Sequence, residues 1–301
     1  MTKSKKPFRY HYDYPVSLEG SLETVFAALT DPDALRTWFA EEVDVQLSPG
    51  GSFRFWGRHT YGMPTAAEVD QTVLNVEAPT TLTFSWRFLG QDSTVTWALR
   101  EPDSGDDAGV RISVTHEFDQ LPEGNRQEAL LDDLWRIHTG NLCFFLKGER
   151  DLFRPDFADP APVVSCELFI NARPERVFAV LTTPEYIKQW FPAPAPFVDP
   201  RVGGDYGFGF SFEVDGETIN PPPMKILAFE PNRMLSISWP DWRMDPTVPD
   251  QTVTWRLEDL DGKTRLTLEH TGFSRFTDVS DYPFGWREFM EKITAVAQAT
   301  A

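Results

Sequence analysis

Side chains capable of chemistry are few, and their spacing excludes several reactions at once. The five histidines, at 11, 59, 116, 138 and 270, form none of the HxH, HxxxH or HExxH pairs that seat a metal ion. Cys143 and Cys166 stand alone, which suggests neither a disulfide framework nor a thiolate zinc site. Gly50-Gly51 and Gly203-Gly204 lack the Lys-Ser/Thr and helix of a phosphate loop, so they read as turns into a strand. The adjacent acids Glu41-Glu42, Asp106-Asp107 and Asp132-Asp133 fall on polar faces or loops, where carboxylates are solvated. No metal, no cofactor and no catalytic set is expected. His116 and His270 remain, because each closes a run of the same form, Arg-Ile-Ser-Val-Thr-His and Arg-Leu-Thr-Leu-Glu-His. A neutral imidazole, with a reference pKa of about 6.5, can donate to a ligand oxygen, act as a general base, or be a hydrogen-bonded structural group. All three roles are open to this pair.

The elements that must position these histidines occur twice. Leu18 to Phe39 and Ile170 to Phe191 share the frame VFAxLTxPxxxxxWF, 152 residues apart. Pro49 to Phe55 answers Val202 to Phe208, the run ending at Trp86 answers the run ending at Trp239, and Thr-Val-Thr-Trp recurs at 94–97 and 252–255. Five extra residues precede the second of these, within Pro240 to Gln251. So many ordered matches mark an internal duplication. Ser21 is placed to cap a helix through Leu29, Pro174 sits at the first position of its counterpart, and Asp31-Pro32 and Thr183-Pro184 start a second short helix. Period-two runs follow: Phe53 and Phe55; Leu82, Phe84 and Trp86; Val95, Trp97 and Leu99; Val110 to His116. The second copy repeats them with Tyr206, Phe208 and Phe210; Leu235, Ile237 and Trp239; Val253, Trp255 and Leu257; Leu266, Leu268 and His270. Polar residues on the alternate positions predict antiparallel strands with one covered face. Prolines 221–223 demote their stretch to an edge or loop. Each copy closes on an amphipathic helix, through Leu130, Leu134, Ile137, Asn141, Leu142 and Phe145, and through Trp286, Phe289, Met290, Ile293 and Val296. The resulting division is a first domain over 1–153, a proline-rich linker over 154–162 and a second domain over 163–301.

The 301 residues carry a formal charge of -18, shared evenly: 24 acidic and 15 basic residues up to Pro155, 22 and 13 after it. Uniform acidity speaks against nucleic-acid backbones and anionic membrane surfaces. No apolar run approaches a membrane span, no secretory h-region follows the opening MTKSKK, and two lone cysteines fit a reducing cytoplasm.

The frame VFAxLTxPxxxxxWF, the PGGxFxF turn, the strand ending in TRLTLEHTGF and the C-terminal GWxxF or WRxHxxNLxxFL resemble the START-like helix-grip superfamily. Within it they are similar to the branch of the activator of the heat-shock-protein-90 ATPase, over about residues 10 to 150 and 163 to 300. The resemblance implies an α+β fold in tandem. Each copy is a curved antiparallel sheet wrapped on a long C-terminal helix, with two short helices after the first strand. In ligand-binding members the sheet and the long helix enclose a cavity. Carried onto this chain, its candidate lining is Phe55, Trp86, Trp97, His116 and Asn141 in one copy, and Phe208, Trp239, Trp255 and His270 in the other. The same aromatics at strand period also describe a packed core. Asn141 is set against Trp286, an assignment that predicts a polar first cavity and a second one filled by an indole. The expected function is binding of a small hydrophobic or amphipathic molecule. Alternatives are a protein-interaction role with a partner such as a chaperone, and a cyclase or hydrolase using His116 or His270.

Overall fold

The computed structural model describes residues 7–102, 109–120, 126–150, 152–214 and 217–299. They form two compact units, Met1–Pro160 with Phe276–Asp281, and Ala161–Arg275 with Tyr282–Ala301.

The first unit runs β1 (Phe8–Asp13), α1 (Leu22–Thr30), α2 (Pro32–Trp38), β2 (Glu42–Val45), β3 (Phe53–Trp56), β4 (Val73–Glu77), β5 (Thr81–Phe88), β6 (Gln91–Arg100), β7 (Arg111–Phe118) and α3 (Gln127–Leu146). Its sheet has the antiparallel order β1-β7-β6-β5-β4, and the β2-β3 hairpin joins it through a bridge from Ser52 to Thr72. The second unit repeats the order with β8 (Val164–Ile170), α4 (Pro174–Thr182), α5 (Pro184–Trp190), β9 (Phe197–Val198) and β10 (Asp205–Gly207). A small hairpin of β11 (Phe212–Val214) and β12 (Glu217–Ile219) follows. The copy ends with β13 (Met224–Glu230), β14 (Met234–Trp239), β15 (Gln251–Leu260), β16 (Lys263–Thr271) and α6 (Tyr282–Gln298). Here the sheet order is β8-β16-β15-β14-β13-β10-β9.

Local chemistry accounts for these elements. Ser21 Oγ accepts the Thr24 N–H at 3.3 Å, and Asp31 Oδ1 accepts those of Asp33 and Ala34 at 2.9 Å each, closing the open ends of α1 and α2. Thr183, at the corresponding start of α5, makes no side-chain cap. Gly50 and Gly203 lie at φ +81° and +79°, and a Cβ on Gly51 or Gly204 would collide with the carbonyl oxygen of Gln46 or Asp199. Both turns therefore need two glycines for two different reasons. The alternation along the strands is a burial alternation: Val95, Trp97 and Leu99 face inward in β6, and Val253, Trp255 and Leu257 in β15. Against those faces the long helices bury Leu130, Leu134, Ile137 and Leu142 in one unit and Trp286, Met290 and Ile293 in the other.

Candidate functional site

The interior of the first unit is an aromatic stack. Trp97 sits 5.5 Å from Phe39, 5.8 Å from Phe53 and 6.4 Å from Trp135 between ring centroids. The His116 ring lies parallel to Trp86, 5.5 Å away and tilted by 7°. Ser93 Oγ lies 2.6 Å from the Trp86 carbonyl oxygen and 2.8 Å from His116 Nε2. The hydroxyl has one proton and the carbonyl can only accept, so Nε2 carries the ring proton and donates to Ser93. Nδ1 is then a bare acceptor, buried and without a partner. Burial lowers the His116 pKa to about 3, which keeps the ring neutral at physiological pH.

The second unit builds the same device and completes it. Trp286 donates its indole N–H to His270 Nδ1 at 3.0 Å, so the proton of this ring sits on Nε2, which donates to Gln251 Oε1 at 2.7 Å. Ser93 and Gln251 occupy one place in the fold, each two residues before the valine paired with its histidine. Desolvation lowers the His270 pKa to about 3 as well. Both nitrogens of His270 are engaged, which makes it a structural strut and a poor base.

These contacts correct one sequence assignment. Trp286 meets Trp239, Trp255 and His270 at 5.1, 5.7 and 6.0 Å, and Trp135 meets Trp86, Trp97 and His116 at 6.1, 6.4 and 5.9 Å. The counterpart of Trp286 is therefore Trp135, not Asn141. Both copies carry the indole, and it fills the space between sheet and long helix in each. The difference is hydrogen bonding, since Trp135 Nε1 is buried with no acceptor. Asn141 lies deeper along α3 and donates from Nδ2 to the Phe153 carbonyl at 2.7 Å. His138, one turn after Trp135, is a buried titratable group that the sequence reading passed over. It packs 4.7 Å from the Phe39 ring, and burial lowers its pKa to about 3. The signal was its place on the inner stripe of α3, three residues from each of Trp135 and Asn141.

Among the described residues, a cavity opens at the sheet margin, at the same place in both units. In the first, a cavity of about 340 Å³ is bounded by Tyr61–Pro64, Glu68–Gln71 and Trp86–Gly90. In the second, an open cavity of about 490 Å³ is lined by Phe191, Phe197, Gly207–Phe210, Asn220–Met224, Pro240–Trp242, Met244 and Trp239. The equivalence follows from register. Val73 pairs with Phe84 as Ile226 pairs with Ile237, which places Gln71 and Met224, and Trp86 and Trp239, in matching positions. No residue of α3 or α6 lines either cavity. Of the sequence candidates, Trp86 lines the first and Phe208 and Trp239 the second, while Phe55, Trp97, Trp255, His116 and His270 lie in the packed interior with Asn141. Gln71, Trp242 and Pro221 to Pro223 were not foreseen as lining, because the segments that carry them have no period to read, and neither was Met224, which opens β13 directly after the prolines.

The second cavity is overwhelmingly apolar. Phe191 stacks on Phe208 with centroids 3.9 Å apart, and Trp239, 6.0 Å from Phe208, donates its indole N–H to the Tyr282 hydroxyl at 3.0 Å. Phe197 and Trp242 form the rim, 44% and 45% exposed. Asp241 is the one ionisable residue of the lining, and its Oδ2 accepts the Arg243 N–H at 3.1 Å and the Asp245 N–H at 3.3 Å. Among the described residues no three His, Cys, Asp or Glu side chains come together as metal ligands, and no helix is long and apolar enough to cross a membrane.

Sheet, paired short helices and long C-terminal helix, present twice, define a tandem helix-grip protein of START-like architecture. Residues 19–142 and 171–298 both match the family described as activator of Hsp90 ATPase homolog 1-like protein, and the chain belongs to that family in two copies. No curated protein matches the chain. Among solved structures, protein MLL2253 from Mesorhizobium loti is 27% identical and aligns over 46% of this chain and 99% of its own, with a TM-score of 0.38. CalU16 from Micromonospora echinospora is 27% identical over 46% of this chain and 75% of its own, with a TM-score of 0.36. DynU16, a putative protein in the dynemicin biosynthetic locus, is 18% identical over 98% of this chain and 100% of its own, with a TM-score of 0.38.

Proposed function

We propose that the protein binds a small, predominantly apolar molecule, and that the second unit holds it in the cavity beside Trp239. The observation that carries this reading is the cavity itself. About 490 Å³ falls within the ~300–1,000 Å³ of small-molecule sites, and six aromatic side chains, four prolines and two methionines line it. Such a surface is costly to leave in water, and covering it with an apolar ligand recovers roughly 25 cal/mol per Å². A carrier or sensor role fits better than turnover, because His270, the nearest imidazole, is neutral and has both nitrogens bonded.

The test uses N-phenyl-1-naphthylamine, an uncharged probe that fluoresces in apolar surroundings. Titration of the full chain is expected to saturate one such site in the second unit. Trp242→Ala removes a wall whose side chain is half exposed, so the fold is retained and probe affinity drops about tenfold, ~1.4 kcal/mol. A wild-type chain that leaves the probe dark, or a Trp242→Ala variant that binds it equally well, overturns the assignment.

A further inference from the structure

The duplicated cavity has diverged at its floor, and the divergence changes what each copy can hold. In the second unit the floor position is Met224. In the first it is Gln71, 3% exposed, whose Oε1 is buried without a hydrogen-bond partner. The amide is oriented by Nε2, which donates to the Phe55 carbonyl at 3.4 Å, longer than the usual 2.7–3.2 Å. The carbonyl accepts only, so the nitrogen must face it and the oxygen must face away. A bond this long holds the amide lightly, and its terminal torsion is broad. The oxygen can therefore swing to meet a donor that enters the cavity.

The remaining surface fits an amphipathic partner. Trp86 and Phe88 give an aromatic floor, Tyr61 packs 4.9 Å from Phe88, and Asp70 and Arg87 lie at the exposed rim. We infer that this first-unit cavity is a separate binding site for a small aromatic molecule that presents one O–H or N–H, donated to Gln71 Oε1. The inference is independent of the second cavity, since it rests on a polar floor that the other copy lacks. A buried acceptor that gains a donor only from the ligand gives selectivity for the donor, because an isostere lacking it leaves the oxygen unpaired.

Two probes of one shape isolate that hydrogen bond: 2-naphthol, which has the donor, and 2-methoxynaphthalene, which does not. Calorimetric titration of the full chain is expected to place 2-naphthol in the first-unit cavity at least tenfold more tightly than its methyl ether. Gln71→Met copies the residue of the second unit, and should abolish that preference while leaving any binding at Met224 unchanged. Chemical-shift changes confined to Tyr61, Trp86 and Phe88 locate the site. If the two probes bind the first unit alike, or if Gln71→Met keeps the tenfold preference, the inference is wrong. The comparison on the unaltered chain decides the matter even should the variant fold poorly. Failure of N-phenyl-1-naphthylamine to bind the second unit would leave it untouched.

Discussion

Trp135 and Trp286 hold the same position in two copies of one fold, yet only the second indole has an acceptor. The reason lies one layer away. In the second unit Gln251 reaches His270 Nε2, and the imidazole presents Nδ1 to Trp286 at 3.0 Å. In the first unit the shorter Ser93 serves the same imidazole nitrogen, and His116 Nδ1 and Trp135 Nε1 both stay unpaired. The two tryptophans should accordingly respond differently to the same truncation. Trp286→Phe removes volume and strands a buried acceptor, whereas Trp135→Phe removes volume along with a donor that was already unpaired. Leaving a buried polar group unsatisfied costs about 1–3 kcal/mol. Chemical denaturation of both variants is expected to find Trp286→Phe the more destabilising by that margin. Equal losses would mean that the 3.0 Å bond contributes nothing. None of this was legible in the sequence, because the register between a helix and its sheet is not written in the helix. Asn141 and Trp286 both lie on inner stripes, and only the ring contacts reveal that Trp135 is the true equivalent.

At the scale of elements, what could be read was what repeats with a period. Strand alternation, the two short helices, the double-glycine turn and the closing helix all follow from side-chain spacing and backbone constraints, and each is present twice. The cavities escaped because strand residues make only part of their walls and aperiodic segments make the rest. Tyr61–Pro64, Asn220–Pro223 and the insertion carrying Trp242 are loops, whose positions depend on the elements they join. Capping is legible by type but not by outcome. Asp31 and Thr183 both precede a proline at the start of a helix, yet only the carboxylate reaches the free N–H groups. Asp31→Ala is therefore expected to destabilise the first unit by ~1 kcal/mol, and Thr183→Ala to leave the second within ~0.5 kcal/mol of wild type. Thr183→Asp should go further and stabilise the second unit, because an acid there serves the helix dipole as well as the N–H groups. Urea midpoints of the three variants check all of this, and a Thr183→Ala loss as large as that of Asp31→Ala would refute the difference in capping.

For the whole molecule, duplication has kept the charge and changed the sites. Each half of the sequence is acidic to the same extent, and an overall charge of -18 repels anions at long range. The lining of the apolar cavity contains no lysine, arginine or histidine, and Asp241 is its one ionisable residue. A ligand that is apolar but anionic, such as a fatty acid, is therefore disfavoured relative to an uncharged one of equal size. The argument fixes the sign of a salt effect. An anionic naphthyl probe, 1-anilinonaphthalene-8-sulfonate, should bind more weakly than N-phenyl-1-naphthylamine in dilute buffer. Its affinity should rise severalfold as ionic strength increases to about 0.3 M, because added salt shortens the reach of the repulsion below the Debye length of about 10 Å at 0.1 M. The uncharged probe should respond little. Affinity of the sulfonate that falls with salt would instead reveal a local cation at the mouth. Arg243, whose guanidinium lies 4.0 Å over the Trp242 ring, is the residue that such a result would implicate.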